Sequence, residues 1–148
     1  MGDQGTFVPF SITMPGTQDA VRSGLAQTMA RLVPLGLPAD ETNTVELVLA
    51  EALNNIVEHA LESVDAETVI RINGNHSDAG LDFTIVDHGS PMPDGAVPTA
   101  RVPQVQVDVQ NLPEGGFGWF MIHTLARNVE YVRVGSANRL SLRICVGL

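Results

Sequence analysis

Val45-Glu46-Leu47-Val48-Leu49-Ala50-Glu51-Ala52-Leu53-Asn54-Asn55-Ile56-Val57-Glu58-His59-Ala60 is the stretch whose reading decides the fold. Val45, Val48, Leu49, Ala52, Leu53, Ile56 and Ala60 recur at three- and four-residue steps, which predicts one apolar stripe along a helix. Asp40 is a plausible N-cap for it, and the pattern runs to about Glu62. Glu51, Asn55 and His59 are four residues apart and line up on a neighbouring face. A solvated flank of an ordinary amphipathic helix would account for all three. A chemical reading is also open. An Asn amide oxygen is a neutral, hard ligand suited to Mg²⁺, which keeps waters and shares phosphate oxygens with a nucleotide. A Glu one turn earlier can orient or deprotonate an attacking hydroxyl or water.

Working outward from this helix, 148 residues suit one domain with a core of ordinary size. No segment approaches the length of a membrane span, and no secretory leader opens the chain, so the expected location is cytoplasmic. The single Cys145 excludes an internal disulfide, and its place in a terminal apolar run predicts a buried thiol. A formal net charge of −9 argues against direct nucleic-acid binding, which needs cationic surface. Every basic residue is Arg, with no Lys in the chain. A Walker-type nucleotide enzyme would need its phosphate-binding Lys. Any bound nucleotide must therefore be held by backbone N–H groups, Mg²⁺ or Arg.

The rest of the chain supplies a sheet for that helix to cover. Thr6 to Thr13 reads as a strand, with Pro9 favouring an edge, and Met14-Pro15-Gly16 as a turn. Thr17 or Asp19 then starts a helix with Val21, Leu25, Met29 and Leu32 or Val33 on one side, ended by Pro34 to Pro38. Thr68 to Ile72 and Leu81 to Val86 read as strands joined by a polar turn from Gly74 to Gly80 that includes His76. Val129 to Val134 and Arg139 to Ile144, joined by Gly135 to Asn138, suit an antiparallel hairpin. A helix-like run from Gly118 to Arg127 lies between the two pairs, with Trp119 and Phe120 expected in the core. Residues 90 to 114 carry five prolines and no helical period, the composition of a functional loop or lid.

Two glycine signals flank that loop. Val86-Asp87-His88-Gly89 ends the second central strand, and by itself fits a strand-ending Asx turn. Glu114-Gly115-Gly116-Phe117-Gly118-Trp119-Phe120-Met121-Ile122 places glycines just before a helix, where free N–H groups and the helix dipole face an anion. A tight loop-to-helix turn would explain the second equally well.

Taken in order and spacing, these segments resemble the bacterial anti-sigma factor serine/threonine kinases of the Bergerat-fold, histidine-kinase-like ATPase superfamily. Glu51 to Ala60 is similar to that family's E-A-x-x-N-x-x-x-H-[AG] box, Asp87-His88-Gly89 to its D-x-G motif, and Gly115 to Ile122 to its G-G-x-G-[LW]-x-[LM]-I box. The closing Asn138-Arg139-Leu140 hairpin also recurs there. The chain departs from the pattern at Phe117, where Arg or Met is frequent, and at His88, where the family varies. Only Arg101 in the lid offers a cation to phosphates.

The resemblance implies an α/β two-layer sandwich, with helices on one face of a mixed, mostly antiparallel sheet, and a single domain over residues 1–148 with an ATP lid at about 90–114. It implies ATP and Mg²⁺ as cofactors, with Asn55 on the metal and Glu51 acting on a hydroxyl. Asp87 would accept from the adenine amine, Gly89 would let the backbone pass the base, and Gly115, Gly116, Phe117 and Gly118 would wrap phosphate. His59 either shapes the pocket wall or packs on the sheet. The implied partners are a sigma factor and a STAS-type anti-anti-sigma protein phosphorylated on Ser or Thr, and a homodimer is compatible with the pattern. Two other readings remain: an ATP-gated partner switch with little or no kinase activity, and the ATP domain of a sensor histidine kinase. The second is disfavoured by the lack of a phosphoacceptor helical hairpin in this sequence.

Overall fold

A computed structural model describes residues 7–60, 68–92 and 116–146. Strand β1 (Phe10–Pro15) leads into helices α1 (Gln18–Arg31) and α2 (Ala39–Asn55). Strands β2 (Val69–Ser77) and β3 (Gly80–Asp87) follow, then helix α3 (Gly116–Leu125) and strands β4 (Arg127–Val134) and β5 (Ala137–Ile144). The sheet order is β1-β2-β3-β5-β4, and each adjacent pair is antiparallel. The sheet expected to be mixed is thus antiparallel throughout the described residues. Its two local hairpins, β2–β3 and β4–β5, are antiparallel by construction, and the helical connections bring β2 antiparallel to β1 and β5 antiparallel to β3.

The helices cover one face of the sheet, as the two-layer expectation requires. The α2 stripe Val45, Val48, Leu49, Ala52, Leu53 and Ile56 is buried against Ile70, Ile72, Phe83, Ile85, Leu142 and Ile144 in one core. Trp119, Ile122 and Ala126 join that core from α3 and the residue after it. Phe120, expected inside, is only half-buried. The opposite sheet face stays polar, with Asp82 taking Arg143 Nε at 2.7 Å. That hydrogen bond and its charge raise the Arg143 guanidinium further above its ordinary value.

Several boundaries differ from the sequence reading for identifiable reasons. β1 starts at Phe10, so Pro9 precedes it, while Pro15 ends this edge strand where it has one neighbour only. Thr6 lies outside the described residues. Met14, expected in a turn, is core, and its side chain lies across the buried Gly24 of α1. Thr17 is the α1 N-cap, accepting from Ala20 N at 3.2 Å. At the other end of α1, Leu32 packs inside and Val33 is exposed.

Pro38, not Asp40, is the N-cap of α2, and Asp40 and Glu41 sit in the first turn where the dipole favours them. α2 ends at Asn55 and continues as a π-helical turn over Ile56–Ala60, and residues 61–67 lie outside the described set.

The β2–β3 turn is only Asp78-Ala79, so Gly74 to Ser77 are strand. His76, expected in a solvated loop, packs its ring edgewise on Phe7 with centroids 5.9 Å apart. Cys145, expected buried, is exposed. Strand alternation explains this, because Ile144 and Val146 on either side point inward.

Candidate nucleotide and phosphoryl-transfer site

Two clusters of candidate side chains form on the helix-covered side of the sheet. The first lies where the end of α2 meets the start of α3. The regular 3.6-residue turn places Asn55 one turn below Glu51, beside the apolar stripe. Glu51 is half-buried and Asn55 is 7% exposed. Asn55 Nδ2 is buried with no hydrogen-bond partner among the described residues. Native structures seldom leave a buried amide unpaired, and each unpaired donor costs about 1–3 kcal/mol. Gly118, in the first turn of α3, closes the cluster. A Cβ at that position would stand 2.6 Å from Glu51 Oε2 and 3.7 Å from Asn55 Nδ2. Glycine at 118 thus leaves the Glu51 carboxylate where it stands, whereas a larger residue would displace it.

His59 belongs to the π-helical turn, where the i, i+4 register of an α-helix no longer applies. Its side chain lies outside the described residues, as do Gly115 and the side chain of Phe117. Gly116 is the first residue of α3. Arg101 and most of the expected lid also lie outside the described residues, which stop at Met92 and resume at Gly116.

The second cluster gathers at the end of β3. Asp87 lies in the same alternating phase as Leu81, Phe83 and Ile85, so it points inward, and it is 4% exposed. Its Oδ1 accepts from Gly89 N at 2.8 Å, the Asx turn read from the sequence. The same oxygen accepts from Asn138 Nδ2, also at 2.8 Å. Oδ2 takes no hydrogen bond from the described residues and remains available to a donor. His88 is exposed and Gly89 buried.

Asn138, Tyr131 and Arg133 complete this second cluster, and no role was read for them from the sequence. Asn138 is opposite Asp87 in the β3–β5 ladder and is itself 4% exposed. A signal was present: Asn138 shares the inward phase of Leu140, Leu142 and Ile144, so a polar residue was due inside. No hydrogen bond links the two clusters within the described residues.

The site can be tested for fit to Mg²⁺ and ATP. The Asn55 amide, buried without a hydrogen-bond partner among the described residues, lies beside the Glu51 carboxylate that Gly118 makes room for. Amide orientation is assigned from the hydrogen-bond network, so either end of this side chain can face a ligand. No group of three His, Cys, Asp or Glu forms a metal cage among the described residues. One amide ligand is nonetheless adequate for Mg²⁺, which takes its remaining ligands from phosphate and water. The residues present fit the group. A shallow depression lined by Ser11, Asn73, Asp82 and Thr84, among others, shares no residue with either cluster.

This architecture, among the described residues three helices on one face of a five-stranded antiparallel sheet, is that of a two-layer α/β sandwich. The chain belongs to the histidine kinase-like ATPase domain family, whose profile matches residues 14–144. Among curated proteins it is similar to the serine-protein kinase RsbW of Bacillus mycoides (strain KBAB4), with 27% identity over 97 residues. That match covers 65% of this chain and 59% of the relative, so the chain spans less than two-thirds of the kinase's length. Among solved structures it resembles the RsbU and RsbW domains of a Mycobacterium tuberculosis protein, with a TM-score of 0.66 and 16% identity. That likeness covers 94% of this chain and 32% of the other. A histidine kinase domain from Erythrobacter litoralis EL346 follows at a TM-score of 0.52 and 16% identity, covering 85% of this chain and 61% of that one. At such identities the structural likeness shows the shared fold. The resemblance drawn from the motifs is met by the family profile and by the curated serine-protein kinase relative.

Proposed function

We propose that this protein is an anti-sigma regulatory factor that binds Mg-ATP and phosphorylates a Ser or Thr of a STAS-type anti-anti-sigma partner. The observation that carries the proposal is the Asn55 amide, buried without a hydrogen-bond partner among the described residues, beside a Glu51 carboxylate that Gly118 leaves in place. An ordinary amphipathic helix has no reason to bury that amide without a partner.

Asn55 would hold Mg²⁺, which when bound neutralises charge on the phosphate oxygens. Glu51 accepts the proton of the partner's hydroxyl as its oxygen bonds to the γ-phosphorus, and the bond from that phosphorus to the β-phosphate bridging oxygen breaks to release ADP. Such transfer depends mainly on positioning and charge stabilisation, which suits a site with few reactive groups. Asp87 receives the adenine amine on Oδ2, Gly89 passes the base, and His59 shapes the wall. The N–H groups at Gly115, Gly116, Phe117 and Gly118 cradle phosphate. Residues 1–148 then act as one domain, with a lid at about 90–114 and a second copy as a candidate homodimer partner. The protein works in the cytoplasm, where it sequesters a sigma factor. It contacts neither nucleic acid nor membrane directly, and no helix among the described residues is long and apolar enough to cross a bilayer.

Calorimetric titration with Mg-ATP and Mg-GTP, followed by phosphate transfer to purified partner, tests the proposal. Mg-ATP should bind and Mg-GTP should not, because guanine offers an oxygen where Asp87 needs a donor. Glu51→Gln should bind ATP normally and lower the transfer rate by about 10²–10⁴-fold. Binding without transfer by the unaltered protein would leave the partner-switch reading. Equal binding of the two nucleotides would overturn the site assignment.

A further inference from the structure

The turn that carries Asp87 is held from outside by three side chains of the β4–β5 hairpin. Asn138 Nδ2 donates to Asp87 Oδ1 at 2.8 Å, to Gly89 O at 3.2 Å and to Ser90 O at 3.0 Å. Asn138 Oδ1 accepts from the Tyr131 hydroxyl and from Arg133 Nη1 at 3.0 Å. The Tyr131 hydroxyl in turn accepts from Met92 N at 2.9 Å, and Arg133 Nη1 also donates to Gly89 O at 2.7 Å. One amide thus uses its whole hydrogen-bonding capacity on the turn and on the two β4 side chains that flank it. Gly89 O, Ser90 O and Met92 N, three backbone groups within four residues, end on hairpin side chains. With Gly89 N bonded to Asp87 itself, the turn has little freedom left.

We propose that Asn138, Tyr131 and Arg133 form a latch that fixes the Asp87 carboxylate and the chain through Met92, so that Asp87 Oδ2 alone faces the base. These are positioning residues, and the specificity they confer rests on the nucleotide reading proposed above. Asn138 sets the carboxylate rotamer by occupying Oδ1. Tyr131 ties Met92, the last described residue before 116, to that same amide. A carboxylate free to rotate could present either oxygen, or turn away, and its preference for an amine donor would weaken. Networks of this kind act as a unit, so the effect of one deletion should reach every member.

The experiment has two independent readouts on Asn138→Ala and Tyr131→Phe. In the first, amide hydrogen exchange is measured on the nucleotide-free protein. Tyr131→Phe should speed exchange at Met92 by about tenfold or more and leave core amides such as Phe83 and Ile85 unchanged. Asn138→Ala should do so at both Gly89 and Met92. Uniform acceleration across the sheet, or none at Met92 and Gly89, would overturn the latch. The second readout is the ratio of Mg-ATP to Mg-GTP affinity, which Asn138→Ala should lower by about tenfold, with Tyr131→Phe between it and the unaltered protein. An unchanged ratio in Asn138→Ala would overturn the specificity role. An unaltered protein that binds neither nucleotide would sink the nucleotide reading and this role with it, while the exchange data would still decide the latch. Should Asn138→Ala fail to fold, Tyr131→Phe, which removes one half-buried hydroxyl, carries both measurements.

Discussion

Gly118 stands over the Glu51 carboxylate so closely that a Cβ there would lie 2.6 Å from Oε2. The obstructed atom is the far end of a flexible side chain, so Gly118→Ala should push the carboxylate aside and leave the backbone in place. Alanine is also the better helix former, by about 1 kcal/mol, at this position in α3. Thermal stability should be unchanged or slightly raised. Phosphate transfer should fall by about 10²-fold, the usual cost of misplacing a reacting group by an ångström. A thermal melt and a transfer assay on the same preparation check this, and a destabilised protein with normal transfer would be the opposite outcome.

Asn55→Leu separates a structural from a ligand-binding role for the unpaired amide. Removing a buried donor that has no partner relieves a cost of about 1–3 kcal/mol, set against a similar cost of overpacking. Nucleotide-free Asn55→Leu should unfold in denaturant no more easily than the unaltered protein, yet lose Mg-dependent ATP binding. Were Asn55 a structural hydrogen-bonding residue, the variant would be clearly less stable and would still bind.

What could be read from the sequence was what repeats at short range. The α2 stripe was legible because Val45, Val48, Leu49, Ala52, Leu53 and Ile56 keep one phase over three turns. The β4–β5 hairpin was legible from Gly135, which takes a positive φ of 59° in the two-residue turn. Asp87 was legible as an Asx turn because its bond to Gly89 N is local. By contrast, the approach of Gly118 to Glu51 spans two elements far apart in the chain, and no local pattern encodes it. The π-helical turn after Asn55 was hidden too, since its residues continue an apolar period that reads as α-helix. His76 was misplaced because polar Asn75-His76-Ser77 resembles a turn, whereas pairing of Ser77 with Gly80 extends the strand. The latch residues were missed because Asn138 was read as part of a connection and not as an inward strand position.

Gly80 carries a stability prediction independent of any ligand. Its φ is 122°, and a Cβ would collide with the backbone oxygen of Ile144 on β5. Neither partner can move without breaking the β2–β3–β5 ladder, so Gly80→Ala combines backbone strain with a fixed clash. Strain alone costs about 1–3 kcal/mol, and the contact adds to it. Equilibrium unfolding in urea should show a lower midpoint. Gly135→Ala has open space around it, so it should lose less. Equal losses in the two variants would mean that φ, and not the Ile144 contact, sets the cost.

Asp87→Asn tests base recognition with a reversal instead of a loss. Oδ1 of Asp87 accepts from both Gly89 N and Asn138 Nδ2, so an amide placed there must turn its oxygen to those two donors. Its NH₂ then occupies the Oδ2 position and faces the base as a donor. Adenine's amine would meet another donor, and Mg-ATP affinity should fall by more than about tenfold, the worth of a hydrogen bond to a charged acceptor. Guanine's oxygen would meet a partner, and Mg-GTP affinity should rise. The measurement is the pair of titrations on Asp87→Asn beside the unaltered protein. Loss of ATP binding with no gain for GTP would mean that the amide is not held in that orientation. Retained preference for ATP would remove Asp87 from base recognition altogether.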